Sequence, residues 1–160
     1  MYFFNKIIWI TGASSGIGKA LAIALSKQQC KLILSSRNAT SLELVKQACD
    51  YQEEIKIIPL DLENHASLAL KAAEAIKAFG KIDVLINNGG ISQRSLAAET
   101  NIHVDKRIMD INYLGTVALT KAILPHFIEK KEGQFVITTS IVGKIGTPLR
   151  SSYAASKHAL

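Results

Sequence analysis

The sequence predicts an α/β fold in which helices cover both faces of a doubly wound parallel sheet. Two observations lead to this fold. Short runs rich in β-branched residues alternate with longer segments that have the periodicity of amphipathic helices. The short runs are also apolar almost throughout, which is typical of parallel strands that are buried on both faces.

Five strands are expected from the apolar runs, with a helical segment between successive strands. Right-handed crossover connections would arrange these strands in the order 3-2-1-4-5. Their predicted ranges are Lys6–Ile10, Lys31–Ser35, Ile55–Leu60, Val84–Asn87 and Phe135–Thr139.

Three of the helical segments have a single apolar face, built on residues 17–25, 42–49 and 68–79, and Gly80 is expected to end the third. The fourth, from Val104 to Lys130, is apolar on more than one side, and such a helix is usually buried by more than one partner. We expect the sheet to cover one side, and a second subunit is a candidate for the other.

A last helix is expected at the end of the chain. Ser151 and Ser152 are good N-cap residues, because a serine hydroxyl can accept a hydrogen bond from a free N–H group of the first turn. Either residue is therefore predicted to begin this helix.

The composition is that of an ordinary globular protein, with 48% hydrophobic and 20% charged residues. No apolar run reaches the length of a membrane span and the N-terminus lacks the pattern of a signal peptide, so a cytoplasmic protein without membrane association is predicted. The net charge is +6, but the lysines are spread along the chain without a basic stripe of interleaved aromatic residues. We therefore expect an anionic cofactor rather than a nucleic acid.

The cysteines and histidines are not spaced for a metal site. Cys30 and Cys49 lack the C-x-x-C spacing and have no histidine at ligand spacing, so free thiols in a reducing compartment are expected. The histidines are scattered and are interpreted as surface or helix residues: His65, His103, His126 and His158. No metal site is predicted.

The sequence TGASSGIG occupies residues 11–18, directly after the first predicted strand. Gly12 would permit a tight turn, Gly16 would let a pyrophosphate approach the backbone, and Gly18 would let the next helix pack closely on the strand. The start of that helix offers free N–H groups to phosphates. An ordinary Gly/Ser loop is the alternative, but the strand before it and the helix after it favour a Rossmann-like dinucleotide site. Further cofactor contacts are predicted at Ser14, Ser15 and Ile17.

The end of the second strand discriminates between NAD and NADP. An acidic residue there would bind the 2′-hydroxyl of NAD, but the sequence LILSSRN has Ser36 in that place, followed by Arg37. A charge-assisted hydrogen bond from arginine to a 2′-phosphate is worth about 1.5–3 kcal/mol, which is roughly a 10- to 100-fold preference. NADP(H) is therefore predicted, with an ordinary surface arginine as the alternative interpretation.

Two more strand ends are expected at the same edge of the sheet. Asp61 and Leu62 follow the third strand, and the sequence NNGG at 87–90 ends the fourth. The carboxyl ends of the strands line the ligand crevice of this fold. We therefore predict that four residues contact the cofactor: Asp61, Leu62, Asn88 and Gly89. The asparagines are also expected to hydrogen-bond the neighbouring main chain.

Tyr153 and Lys157 in the sequence YAASK are a candidate catalytic pair. Residues four apart lie on one face of a helix, and a lysine ammonium about 5 Å from a phenol stabilises the phenolate by about 3 kcal/mol at an effective dielectric constant of 20. The phenol could then donate a proton to a reacting oxygen or accept one from it. The spacing alone is a weak signal, because Tyr2 and Lys6 repeat it without the other motifs.

Together these motifs resemble the short-chain dehydrogenase/reductase family from about residue 5 to the end of the chain. The match consists of TGASSGIG, Asp61-Leu62, NNGG, Asn112 in INYLG, Ser140, and YAASK. Gly89 departs from the pattern, since the family most often has alanine there, and the change should ease backbone approach. The stretch GGISQRS looks like the branch that contains vertebrate retinoid- and steroid-acting reductases and their bacterial relatives.

The resemblance implies reversible hydride transfer between NADP(H) and a carbonyl/secondary alcohol pair, without a metal. Tyr153 would be the general acid/base, and Lys157 would stabilise its phenolate and hold the nicotinamide ribose. Ser140 would orient the substrate oxygen, and Asn112 would hold a water in a proton relay. Taken singly, each of the four has an ordinary structural alternative. A small-molecule substrate and a homodimer or homotetramer are also implied.

Residues 1–160 are expected to form a single dinucleotide-binding domain that is incomplete at its C-terminus. A sixth strand of the fold and the seventh that the resemblance implies are missing, and the apolar fifth strand would be an exposed edge. Three hypotheses follow: an NADP-dependent oxidoreductase that belongs to a longer chain, an inactive nucleotide-binding fragment without the substrate-binding region, or a basic-surface binding protein on this scaffold.

Overall fold

The computed structural model describes residues 2–160 and contains a five-stranded sheet. Neighbouring strands all pair in parallel, in the order β3-β2-β1-β4-β5. The predicted fold class and strand order are thereby confirmed. The strands are β1 (Ile7–Thr11), β2 (Lys31–Ser35), β3 (Ile55–Ile57), β4 (Val84–Asn87) and β5 (Gln134–Ile137).

Along the described residues, six α-helices connect and flank these strands. They are α1 (Gly16–Ser26), α2 (Ala39–Gln47), α3 (Leu68–Phe79), α4 (Ile102–Met109), α5 (Thr116–Lys130) and α6 (Ser151–His158). Gly80 ends α3 in the left-handed conformation, as predicted. None of the helices in this part of the chain is long and apolar enough to cross a membrane.

The third strand is shorter than its predicted range, because regular pairing stops at Ile57. The main chain nevertheless continues to bond to the end of β2. The Ile58 N–H donates to the Leu34 carbonyl at 3.0 Å, and the Leu60 N–H donates to the Ser36 carbonyl at 3.0 Å. These bonds carry the chain in the strand direction as far as the edge where Asp61 follows.

Two apolar clusters on opposite faces of the sheet form the core, since successive strand residues point to opposite faces. Trp9 is fully buried in one of them. Its indole N–H donates to the Ser35 hydroxyl at 2.8 Å, and this hydroxyl donates to the Ile58 carbonyl at 2.6 Å. The indole N–H and the Ser35 hydroxyl are therefore both satisfied inside the core.

Both cysteines are free and buried. Burial raises the pKa of the Cys30 thiol to about 11 and also raises the pKa of Cys49. The thiols therefore stay protonated near neutral pH, as expected for inert core cysteines. Cys49 lies just beyond the end of α2 rather than on its predicted face.

The predicted helix from Val104 to Lys130 is not one regular α-helix. A π-helical segment, Asp110–Gly115, joins α4 to α5 without a break. Gly115 packs against the chain after β3, where a Cβ would stand 2.4 Å from the Leu62 carbonyl oxygen. An apolar pattern of period 3.6 does not reveal such a segment, and π segments are frequent at functional sites.

The second apolar side of this helical unit is uncovered in the single chain. Leu119 and Ile123 are fully buried in the core, whereas Leu114, Leu124 and Ile128 are exposed by 43%, 40% and 66%. This arrangement matches a helix that is apolar on more than one side. A second subunit on the exposed side stays a prediction.

The start of α6 differs from the prediction. Ser151 is the first helical residue, and the N-cap is Arg150, whose side chain makes no capping bond. The prediction that Ser151 or Ser152 caps this helix is therefore wrong. Both hydroxyls have other partners, because Ser151 accepts from the Gln93 amide and Ser152 donates to Asp105 of α4.

Glycine is required where α1 meets the turn after β1. A Cβ at Gly18 would stand 2.3 Å from the Gly12 carbonyl oxygen and 2.7 Å from the side-chain nitrogen of Asn88. A Cβ at Gly12, whose φ is +65°, would stand 2.8 Å from the Cα of Gly89. The helix can therefore begin beside the strand end only because these side chains are missing.

The variant Gly18→Ala is expected to lower the free energy of unfolding by about 2 kcal/mol or more, because the added methyl group collides with the Gly12 backbone and with the Asn88 side-chain nitrogen. Urea denaturation measures this loss. Gly146→Ala is the matched control, since a Cβ at Gly146 meets nothing within 4 Å. Equal stability of the two variants would contradict the close approach.

Candidate active site

A cavity of about 610 Å³ opens where the carboxyl ends of the strands meet the starts of α1 and α6. Its wall contains every predicted cofactor-binding residue except Gly18, which lies behind the turn. It also contains three of the four predicted catalytic residues, all but Asn112. Ligands of open α/β sheets bind at this edge, so the motifs converge on the expected crevice.

The turn after β1 forms one end of the cavity and suits a phosphate. Gly16 has a φ of +52°, and a Cβ there would point into open space. Ser15 is the N-cap of α1, and its hydroxyl makes no capping bond. The first turn of α1 carries no acidic residue. The free N–H groups at this helix start therefore have room for an anion and no competing carboxylate on their own helix.

The Thr11 hydroxyl holds β1 and the end of β4 together. It accepts hydrogen bonds from the N–H groups of Asn88 and Gly89, at 3.0 and 2.9 Å. The Asn88 side chain donates in turn to the carbonyls of Thr11 and Gly12, as predicted for a main-chain contact. Asn87 differs, because its amide donates to the Thr120 hydroxyl at 3.1 Å.

Arg37 lies in the cavity wall next to Ser36 and is exposed. Among residues 2–160 its guanidinium forms no ion pair with a carboxylate. The Ser36 hydroxyl is engaged locally, accepting from the Asn38 N–H at 3.2 Å. The positive charge of the arginine is therefore available to an anion in the cavity.

Asp61 and Leu62 line the cavity where the chain leaves the sheet after β3. One oxygen of Asp61 accepts from the Glu63 N–H at 3.0 Å, which fixes the turn. Leu62 is buried, and its side chain packs where a Cβ at Gly89 would stand, 2.7 Å away. The family's more common alanine at residue 89 would thus require this leucine to move.

Tyr153 and Lys157 lie on successive turns of α6 at the other end of the cavity. The ammonium of Lys157 stands 5.9 Å from the centre of the Tyr153 ring and donates to the Thr138 carbonyl at 2.8 Å. Burial lowers the pKa of Lys157, since desolvation disfavours the charged form. Arg150 places a second cation 5.7 Å from the ring centre.

Ser140 lines the same cavity as Tyr153, and it lies three residues beyond the end of β5 rather than at its last position. It is the N-cap of a short 3-10 turn, and its hydroxyl accepts a long hydrogen bond of 3.4 Å from the Val142 N–H. This weak contact leaves the hydroxyl proton free to donate into the cavity.

Asn112 does not reach the cavity wall, because its side chain is fully buried in the π segment. Its oxygen accepts from the Ile91 N–H at 2.8 Å, and its nitrogen donates to the Ile91 carbonyl at 2.9 Å and to the Ser156 hydroxyl at 3.0 Å. The amide thus joins the loop after β4 to α6. A water-holding role for Asn112 stays a prediction.

The sequence motifs missed part of the cavity wall. Some of the missed residues end a strand or follow one within two positions, so the rule that ligands bind at strand ends could have indicated Thr11, Ser35, Thr138 and Thr139. Leu60 and Ser92 are also in the wall but lie further along the loops that follow β3 and β4. Gln93 lies outside the wall but contacts the start of α6, and no local pattern in the sequence marks it.

The comparisons with known proteins agree with this geometry. The family model of the short chain dehydrogenases matches residues 6–160. The mouse protein "Dehydrogenase/reductase SDR family member 7" is 49% identical over 161 residues, which cover 98% of this chain and 48% of the mouse protein. The chain thus spans about half the length of the curated relatives it matches.

Two solved structures show the same fold with nicotinamide cofactors. An alcohol dehydrogenase from Thermococcus sibiricus, complexed with 5-hydroxy-NADP, superposes with a TM-score of 0.89 at 29% identity. The superposition covers 96% of this chain and 66% of the Thermococcus chain. A short chain dehydrogenase/reductase from Burkholderia phymatum in complex with NAD superposes with a TM-score of 0.89 at 28% identity. This superposition covers 99% of this chain and 57% of the Burkholderia chain.

Proposed function

This chain belongs to the short-chain dehydrogenase/reductase family. We propose that it forms the cofactor-binding and catalytic part of an NADP(H)-dependent oxidoreductase, which interconverts a small carbonyl compound and its secondary alcohol. The observation that carries the proposal is the single cavity that joins the glycine turn to Tyr153, Lys157 and Ser140. An anion-binding helix start and a proton-donating group at opposite ends of one crevice are what such a reaction requires.

The cofactor would bind along the strand ends. The N–H groups at the start of α1 would hold the pyrophosphate, and Arg37 would pair with the 2′-phosphate of the adenosine ribose. Asp61, Leu62 and Gly89 would form the wall between these groups and α6, where Lys157 would hold the second ribose. When bound, the nicotinamide supplies or accepts the hydride.

Tyr153 would move the proton. Its hydroxyl would donate to the carbonyl oxygen during reduction and accept the alcohol proton during oxidation, while the Ser140 hydroxyl donates a second hydrogen bond to the same oxygen. Because Lys157 is buried, little water screens the field of its ammonium at the phenol. The hydrogen bond to Thr138 holds that ammonium in place.

A second copy of this chain is a further proposed partner. It would cover the exposed apolar side that Leu114, Leu124 and Ile128 form on the helical unit. A patch of this kind on an otherwise ordinary surface commonly marks a protein interface.

The variant Tyr153→Phe should keep NADPH binding and lower the turnover rate by about 100-fold or more, because it removes the phenolic hydroxyl that carries the proton and leaves the ring in place. Turnover is followed by NADPH absorbance with a panel of ketones and aldehydes, and binding is followed by NADPH fluorescence. Unchanged turnover would contradict the role of Tyr153. Binding without any turnover in the unmodified chain would support the alternative of a nucleotide-binding fragment.

The variant Arg37→Asp should weaken NADPH binding by about 10- to 100-fold while NADH binding is retained or improved, because a carboxylate repels the 2′-phosphate and accepts from a 2′-hydroxyl. Calorimetric titration with each cofactor gives the ratio of affinities. Arg94→Asp is the charge-matched control, since Arg94 is exposed outside the cavity wall. An equal effect of both substitutions would indicate a general charge effect and contradict the 2′-phosphate contact.

A further inference from the structure

Gln93 is a buried polar residue in the loop between β4 and α4, and its side chain meets the start of α6. It is only 8% exposed, although the residues on either side of it are exposed. Its oxygen accepts from the Tyr153 N–H at 3.2 Å, and its nitrogen donates to the Ser151 hydroxyl at 3.2 Å. Both ends of the amide are thus used by one helix.

These contacts replace a missing helix cap. The first N–H groups of a helix have no partner within the helix and are usually satisfied by the side chain of the N-cap residue. The N-cap of α6 is Arg150, whose side chain has no acceptor atom. The Tyr153 N–H is the third of these groups, the one that an N-cap side chain normally binds, and Gln93 accepts from it instead.

The same loop is tied to the start of α6 at two more points. The Ser95 N–H donates to the Leu149 carbonyl at 3.1 Å, and the Arg150 guanidinium donates to the Ser92 hydroxyl. Ser92 itself lines the cavity. The loop that forms the cavity wall and the helix that carries Tyr153 are therefore connected directly.

We propose that Gln93 is a positioning residue for Tyr153, the proton-transferring group. Gln93 caps α6 from a neighbouring loop and so holds the backbone of Tyr153 in its place in the cavity wall. The inference rests on the proposed function of Tyr153. A phenol that carries a proton must stand within hydrogen-bond reach of the reacting oxygen, and small displacements of a reacting group cost large factors in rate. Gln93 is not part of the cavity wall, so it would act through Tyr153.

Variants of Gln93 distinguish a side chain that only fills space from one that supplies a hydrogen-bond acceptor to the Tyr153 N–H. Gln93→Met keeps the length of the side chain and removes both polar atoms. Gln93→Glu keeps an oxygen for the Tyr153 N–H, and a carboxylate is favourable at a helix start. Ser151→Ala is the matched control, because it removes the partner of the Gln93 nitrogen and leaves the bond to Tyr153.

Amide hydrogen exchange of Tyr153 in the 15N-labelled chain tests the contact without relying on activity. The Tyr153 amide should exchange about 3- to 30-fold faster in Gln93→Met, the range that corresponds to the loss of a helix cap. It should stay within about twofold of the unmodified chain in Gln93→Glu and in Ser151→Ala. An unchanged rate in Gln93→Met, or equal acceleration in Gln93→Glu, would overturn the proposal. Gln93→Asn, which withdraws the amide by one methylene, decides the question should Gln93→Met not fold.

Kinetics of the same variants test the consequence for the reaction. In Gln93→Met, kcat for carbonyl reduction should fall by about 10- to 100-fold while the Kd for NADPH stays within about twofold, and Gln93→Glu should restore most of kcat. Equal kcat in Gln93→Met and the unmodified chain would overturn the positioning role. Should no variant and not even the unmodified chain turn over a substrate, the proposed function fails, and the exchange rates still decide whether Gln93 holds Tyr153.

Discussion

The close approach of backbone to backbone at the end of β1 is the constraint on which the rest of the site depends. There is no room for a Cβ at Gly12 or Gly18. A Cβ at Gly18 would collide with the Gly12 carbonyl oxygen, and a Cβ at Gly12 would collide with the Cα of Gly89 after β4. This contact places the free N–H groups of α1 at the mouth of the crevice. The Thr11 hydroxyl fixes the same turn to the chain after β4, because it accepts hydrogen bonds from the N–H groups of Asn88 and Gly89. The nucleotide end of the cavity is thus a property of the backbone.

The other end of the cavity is held by buried amides. Asn112 engages both main-chain groups of Ile91 and the hydroxyl of Ser156, and Gln93 engages the start of α6. Gly90 lies between these elements, where a Cβ would stand 3.1 Å from the Asn112 oxygen and 3.9 Å from the Lys157 ammonium. The loop after β4 therefore connects the glycine turn on one side with the helix of Tyr153 and Lys157 on the other.

Local patterns in the sequence were sufficient for the sheet order and for most of the cavity wall. Short apolar runs, glycine spacing and the residues at strand ends can each be recognised within a few positions of the sequence. Arg37 and the pair Tyr153 and Lys157 can be recognised in the same way. The π segment was not predictable, because its extra residue per turn leaves no trace in an apolar pattern of period 3.6. The cap of α6 was mispredicted for another reason: its partner is sixty positions away in sequence, and a serine next to a helix start says nothing about a distant glutamine.

The central claim is that the glycine turn and the YAASK helix belong to one cofactor site. It is tested most directly by titrating the 15N-labelled chain with NADP⁺ and following the backbone amide resonances. The account predicts that residues 14–17, residues 138–140, Tyr153 and Lys157 shift together with a single midpoint, because they line the same cavity. Shifts confined to the basic pair Lys130 and Lys131, or two different midpoints for the turn and the helix, would contradict it.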